Sequence, residues 1–394
     1  MALQPFKIYT FAKLMKFLNY PVVLTAVFLL LTTVAFAQAR APMSRYNFQT
    51  EARIHGGFFM HHHREMEVFN AHFGAVELAL QRSTFGKQAW EADYRYPLIG
   101  LSFWHSPLGN FNEIGKAYAL YPFINYPLNQ NRDHALFFRL GLGLGYLTNK
   151  FHPENNYKHF AIGSNLNAAV SMYLDYRLRV SSRLTATASA GMTHFSNGSM
   201  KTPNFGLNIP TVSAGFSWFI MQPNPYLDRL IRPELYPFEF DGKKWFSIEM
   251  AMAAGFKDMS NQLGEKFMVY SLSTNIMKQI SPKSKIGLGL DATYDASDKK
   301  ILERKNISYP HNWQLIKPGA TLAYELLMQK TSFLLQAGMH LGSKEKSEGD
   351  VYQKLALKHM LTDQVYAMVS LTAHFGKAEY IGFGLGYRLD YKYY

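Results

Sequence analysis

The chain has 394 residues, of which 48% are hydrophobic, 15% aromatic and 18% charged, with 28 Gly and no Cys. Mean hydropathy is −0.15, which excludes a helical membrane bundle, while the aromatic and apolar content excludes a disordered chain; apolar and polar residues must be interleaved, as in β-structure. The lack of Cys excludes disulfides, thiolate metal sites and thiol catalysis, and the net charge of +13 suits an anionic partner, either nucleic acid or an acidic lipid headgroup.

In chain order, the first expected element is a secretory signal peptide over residues 1–39. Lys13 and Lys16 precede the apolar block Val22–Phe36, and the small-x-small runs Ala35-Phe36-Ala37 and Ala37-Gln38-Ala39 offer cleavage sites. Met15 is an alternative start that gives more usual signal proportions. From about residue 50 onward one unit recurs: about ten residues of period-two alternation, then a turn or loop, the pattern of membrane β-barrels.

In residues 136–147, Leu136, Phe138, Leu140, Leu142, Leu144 and Tyr146 alternate with Phe137, Arg139, three glycines and Leu147. Residues 286–295 and 379–394 repeat the scheme. Sixteen strands are expected near 50–60, 73–82, 97–106, 114–125, 135–147, 165–178, 183–196, 209–220, 244–256, 266–279, 285–295, 313–327, 331–341, 352–360, 363–375 and 379–394. The fold class is therefore an all-β, antiparallel outer-membrane β-barrel of about 14–16 strands in one barrel. The alternative is an eight-stranded barrel followed by a second small barrel, because the Pro-containing stretch 221–243 falls on the periplasmic side and divides eight strands from eight. The expected domains are strands over 40–220, that connection, and further strands over 244–394.

Two His signals stand apart. His61, His62 and His63 invite a metal-site reading, but in a strand only His61 and His63 share a face and no Cys or adjacent carboxylate closes a site, so no metal is expected. Trp104 and His105 read as members of an aromatic girdle.

The chemistry concentrates in residues 192–212, MTHFSNGSMKTPNFGLNIPTV. His194 and Ser196 are two apart at a strand end, so their side chains share a face, and a Ser–His pair is the minimum for an activated oxygen nucleophile. They share parity with Leu184, Ala186, Ala188, Ala190 and Met192, opposite Thr185, Thr187, Ser189, Gly191 and Thr193, so the pair faces lipid. Polar groups on that side are costly without a function or an interfacial position. This parity points to an acyl chain carried by a lipid as substrate, since a soluble substrate would enter a pore.

The run His194-Phe195-Ser196-Asn197-Gly198, then Pro203-Asn204, Gly206 and the strand starting IPTVSAGF, resembles the catalytic segment of the lipid A 3-O-deacylase family, also described as acyloxyacyl-hydrolase-like. The resemblance spans about residues 50–220 and includes IGLSFWHS, GKAYALYPFI, FFRLGLGLGYLT and FHPENN. It implies an outer-membrane carboxylic ester hydrolase that needs no cofactor and acts on lipid A or lipopolysaccharide. It further implies Ser196 as nucleophile, His194 as base, and an oxyanion hole from Asn204, Asn197 and Gly198. Where the family carries an acid twelve residues after the nucleophile, this sequence has Asn208, which can fix the imidazole tautomer but cannot neutralise an imidazolium. Lys201, Lys150 and Lys158 are candidates for holding lipid phosphates, and secretion makes a nucleic-acid partner unexpected. Competing readings are a passive outer-membrane channel and a barrel that has lost catalysis through Asn208.

Overall fold

The computed structural model describes residues 47–61, 63–129, 134–223, 245–259, 265–345 and 349–392. The expected signal peptide and most of the Pro-containing connection lie outside the described residues.

Sixteen strands form in the described residues, and each expected segment has its counterpart with boundaries within about three residues. The first eight are β1 (Phe48–Phe58), β2 (His72–Ser83), β3 (Leu98–Ser106), β4 (Ala117–Pro127), β5 (His134–Leu147), β6 (Leu166–Arg179), β7 (Leu184–Ser196) and β8 (Leu207–Phe219). The second eight are β9 (Trp245–Asp258), β10 (Lys266–Ser281), β11 (Ser284–Asp295), β12 (Ile316–Met328), β13 (Thr331–His340), β14 (Val351–Met360), β15 (Val365–His374) and β16 (Lys377–Lys392). Among the described residues two α-helices lie between strands, α1 (Ala89–Asp93) and α2 (Ala296–Arg304).

The pairing overturns the single barrel of 14–16 strands and bears out the alternative of two small barrels. β8 returns to β1, with Gln49 opposite Phe219 and Gly57 opposite Thr211, and β16 returns to β9, with Ile381 opposite Phe256. The result is two closed eight-stranded antiparallel barrels. Closure satisfies every strand's ladder without leaving an edge, which is the condition for crossing a bilayer with strands.

The alternation seen in the sequence sorts inside from outside. On β5, Phe137, Arg139, Gly141 and Leu147 are buried, while Phe138, Leu142, Leu144 and Tyr146 are exposed. The exposed stripes, including Leu144, Met252, Leu288 and Phe383, make an apolar exterior on both barrels, a surface suited to lipid and a liability in water. Trp104 departs from its expected girdle position: it is fully buried and packs on Phe195 at 5.8 Å between ring centroids, because it shares the inward parity of Ser102. His105 does point outward, stacked on Tyr118.

An eight-stranded barrel has an interior just wide enough for side chains to fill, and both interiors are filled by paired charges. In the first, Glu51 receives Arg53 at 2.8 Å, Arg139 at 2.7 Å and Arg177 at 2.7 Å. Asp175 binds Arg53 at 2.6 Å, and Glu77 binds Arg139 at 2.7 Å. In the second, Glu249 binds Lys285 and Lys358, Glu325 binds Lys358 at 2.7 Å, and Asp291 binds Lys354 at 2.6 Å. Each network sets three carboxylates against three cations, so neither contributes to the net positive charge. These plugged interiors oppose the channel reading, which requires an open polar lumen.

The longest loops, 148–165 and 296–315, lie at one end of each barrel, and most returns at the other end are short, the 84–97 connection that carries α1 excepted. In outer-membrane barrels the long-loop end is external. The link from β7 to β8, residues 197–206, belongs to that end.

Candidate active site

Ser196 closes β7 and His194 lies two residues before it, both half-buried and on the outward face, while the alternating residues Thr193 and Phe195 are buried inward. The register of β7 against β8 places His194 directly opposite Asn208. Cross-strand partners have adjacent side chains, and His194 Nδ1 lies 2.6 Å from Asn208 Oδ1. An acceptor at that position holds the proton on Nδ1 and leaves Nε2 as the basic nitrogen. Gly206, with φ +79°, passes so close that a Cβ there would stand 2.8 Å from His194 Cε1. The imidazole is thus fixed from two sides, by an acceptor and by a backbone that only glycine accommodates well.

Donors converge on the Ser196 hydroxyl. Gly198 N–H donates to Oγ at 3.2 Å and Asn204 Nδ2 donates to it at 3.0 Å, with Asn204 Oδ1 also within 3.3 Å. Asn197 N–H donates to Asn204 Oδ1 at 3.0 Å, which turns the amide nitrogen of Asn204 toward the serine. The Asn197 side chain ties the loop together by donating to Lys201 O at 2.7 Å and to Ser164 Oγ at 2.8 Å. From the other side, Ala161 O accepts from Gly206 N at 2.9 Å. The 148–165 loop therefore backs the β7–β8 loop through Ser164 and Ala161, which no local sequence pattern revealed.

The expected phosphate ligands are less tightly grouped. Lys201 is exposed on the β7–β8 loop itself, Lys158 is exposed beside the Tyr157 ring at 5.9 Å, and Lys150 is half-buried in the same outer loop as Lys158. The histidine run lies beyond the end of β1 at Phe58, so His61 and His63 do not share a strand face. His63 stacks on Phe205 of the β7–β8 loop with ring centroids 4.1 Å apart, and His62 lies outside the described residues. Among the described residues no three His, Asp or Glu side chains group as a metal site.

Two closed barrels with an apolar exterior, one of them bearing Ser, His and Asn side chains on its outer wall, define an outer-membrane β-barrel protein. Residues 74–217 match the family model described as lipid A 3-O-deacylase (PagL), and residues 246–392 match that described as acyloxyacyl hydrolase, C-terminal domain. The first barrel thus belongs to the lipid A 3-O-deacylase family, and the chain is a carboxylic ester hydrolase of the outer membrane. The second match was not legible beforehand, since the resemblance in the sequence stopped near residue 220. No curated protein matches. Among solved structures, a triple mutant of a Rhodopseudomonas blastica porin is similar at 8% identity and TM-score 0.19, covering 87% of this chain and 100% of that chain. A ferric enterobactin receptor (PfeA) is similar at 8% identity and TM-score 0.22, covering 84% of this chain and 54% of that chain.

Proposed function

We propose that the protein hydrolyses an ester-linked acyl chain of lipid A or lipopolysaccharide from the external leaflet, with Ser196 as nucleophile and His194 as general base. The observation that carries this reading is the outward-facing pair of hydrogen-bonded units, His194 with Asn208 and Ser196 with Asn204 and Gly198, at the external end of the first barrel. Ser196 Oγ attacks the ester carbonyl while His194 Nε2 takes its proton. The tetrahedral oxyanion forms within a bond angle of Oγ, so Gly198 N–H and Asn204 Nδ2, which now reach Oγ, are near enough to receive it. Collapse returns the proton from His194 to the departing alkoxide and leaves an acyl-serine. Water, deprotonated by the same imidazole, then releases the fatty acid. Asn208 holds the tautomer throughout, and Asn197 serves by orienting Asn204.

Lys201, with Lys150 and Lys158 on the supporting loop, would meet the phosphates of the headgroup, in keeping with the net charge of +13. The test compares lipid A acyl composition by mass spectrometry in cells expressing the wild-type chain or Ser196→Ala. Loss of one ester-linked chain with the former and not with the latter is expected. Identical lipid A in both would end the deacylase reading.

A further inference from the structure

The catalytic loop does not stand alone against the membrane. Its middle residues dock on the external end of the second barrel through bonds that join the two family domains. Asp258, the last residue of β9, donates its backbone N–H to Ser199 O at 2.9 Å and accepts from Thr202 N–H on Oδ2 at 3.1 Å. Ser199 Oγ donates to Ala378 O, at the start of β16, at 2.6 Å. Gly198 sits so tightly against Ile381 that a Cβ would overlap its Cγ1, with Leu371 next in line. Ser199 itself holds φ +63°, an uncommon conformation for a residue with a side chain.

Parity makes Asp258 conspicuous. It shares the outward stripe of β9 with Met250 and Met252, which are 51% and 70% exposed, yet it is only 8% exposed. A carboxylate on the outer wall of a membrane barrel is unfavourable unless something covers and hydrogen-bonds it. Here the cover is the segment Gly198–Thr202, and the bond is the Thr202 amide. The same logic applies to Ile381 and Leu371, which are half-buried while Phe383 and Val369 on the same outward stripes are exposed.

We propose that the C-terminal barrel is an intramolecular clamp for the oxyanion loop, with Asp258 as its positioning residue. Asp258 touches neither Ser196 nor His194. It acts by fixing Ser199 and Thr202 on either side of the turn, so that Gly198 N–H stays directed at the reacting centre. The inference rests on the assignment of Ser196 as nucleophile. It gives the second domain a task in the reaction that its filled lumen does not suggest.

The test uses the full chain in lipid A-containing mixed micelles, with two readouts: steady-state deacylation and the rate of covalent labelling by a fluorophosphonate, a serine-directed probe. Ser196→Ala first checks the underlying assignment, and retained deacylation or labelling in that variant would remove it. With that control inactive, Asp258→Ala is expected to lower kcat and the labelling rate about 10- to 100-fold with KM changed less than about threefold. Asp258→Asn, which keeps an acceptor for the Thr202 amide, should recover most of the loss. Ser199→Ala, a milder change, should slow both readouts about three- to tenfold, and carries the test should Asp258→Ala fail to reach the heat-modifiable folded form on gels. Wild-type kcat and labelling in a folded Asp258→Ala, or in Ser199→Ala if the former does not fold, would overturn the clamp. An Asp258→Asn variant as slow as Asp258→Ala would overturn the role of the Thr202 bond.

Discussion

Asn208→Asp is the most informative substitution, because it restores a charge where the geometry already provides the hydrogen bond. With Nδ1 and Oδ1 2.6 Å apart, the centres of an imidazolium and a carboxylate would be about 4 Å apart, an interaction of ~4 kcal/mol at the effective dielectric of about 20 found near protein surfaces. Both residues are half-buried, so solvent reduces that figure. Part of the remainder stabilises the resting cation as well as the transition state. A net of about 1.4 to 2.8 kcal/mol reaching the barrier corresponds to a 10- to 100-fold rise in kcat. An anion at this position also favours the protonated imidazole in the resting enzyme, so the acid limb of the pH–rate profile should move to higher pH and the gain should be largest above neutrality. The assay is single-turnover and steady-state release of fatty acid from lipid A in mixed micelles, beside Asn208→Leu, which removes the acceptor and should cost at least about 100-fold. A folded Asn208→Asp enzyme with unchanged or lower kcat at every pH, or an Asn208→Leu enzyme at wild-type rate, would refute the role of Asn208 in orienting His194.

Three further outcomes follow from other parts of the molecule. Gly206→Ala should lower kcat about tenfold or more without unfolding the barrel, since φ +79° and the 2.8 Å approach to His194 Cε1 displace the imidazole; a wild-type rate would show that the ring is not held from this side. Arg139→Leu leaves Glu51 and Glu77 without a cation that each meets at 2.7 Å, and should destabilise the first barrel by about 3–5 kcal/mol in urea unfolding in detergent; a shift below about 1 kcal/mol would mean the network rearranges freely. In the outer loop, burial pushes the His159 imidazole down to about 4 from its ordinary 6.5. A histidine lowered on folding supports the fold fully above the unfolded value and loses that support as pH falls from about 6.5 toward 4, in total ~3 kcal/mol. Hydrogen exchange of amides in residues 149–163, corrected for intrinsic rates, should therefore accelerate between about pH 7 and pH 5. His159→Phe should abolish the difference, and equal protection at both pH values in the wild-type chain would contradict the assignment.

The strands were legible because a half-buried strand writes its two faces into every second residue, as Leu142 and Leu144 against Gly141, Gly143 and Gly145 illustrate. Closure was not, because alternation tells a strand which way its side chains point and nothing about its far neighbour. The pairing of Gln49 with Phe219 rather than with the last strand of the chain is decided 170 residues apart. Parity placed His194 and Ser196 on the outer wall correctly, and the β7–β8 register supplied the reason Asn208 lies opposite His194. The same reasoning misplaced Trp104, whose aromatic size suggested a girdle although its parity with Ser102 pointed inward. Asp258 carried a readable signal, an acid in a methionine stripe, but its partners Ser199 and Thr202 belong to another barrel and no periodicity connects them.

A nucleophile on the outside wall of a barrel inhabits the same two-dimensional phase as a lipid substrate. Encounter then occurs by lateral diffusion within one leaflet, with no entry through a mouth, and the concentration that governs turnover is the mole fraction of acylated lipid around the protein. Diluting the leaflet with inert lipid or detergent at constant bulk substrate should slow such an enzyme, as it would not slow one fed from water. Crowding in a lipopolysaccharide-rich leaflet would keep the outer wall beside Ser196 continuously occupied.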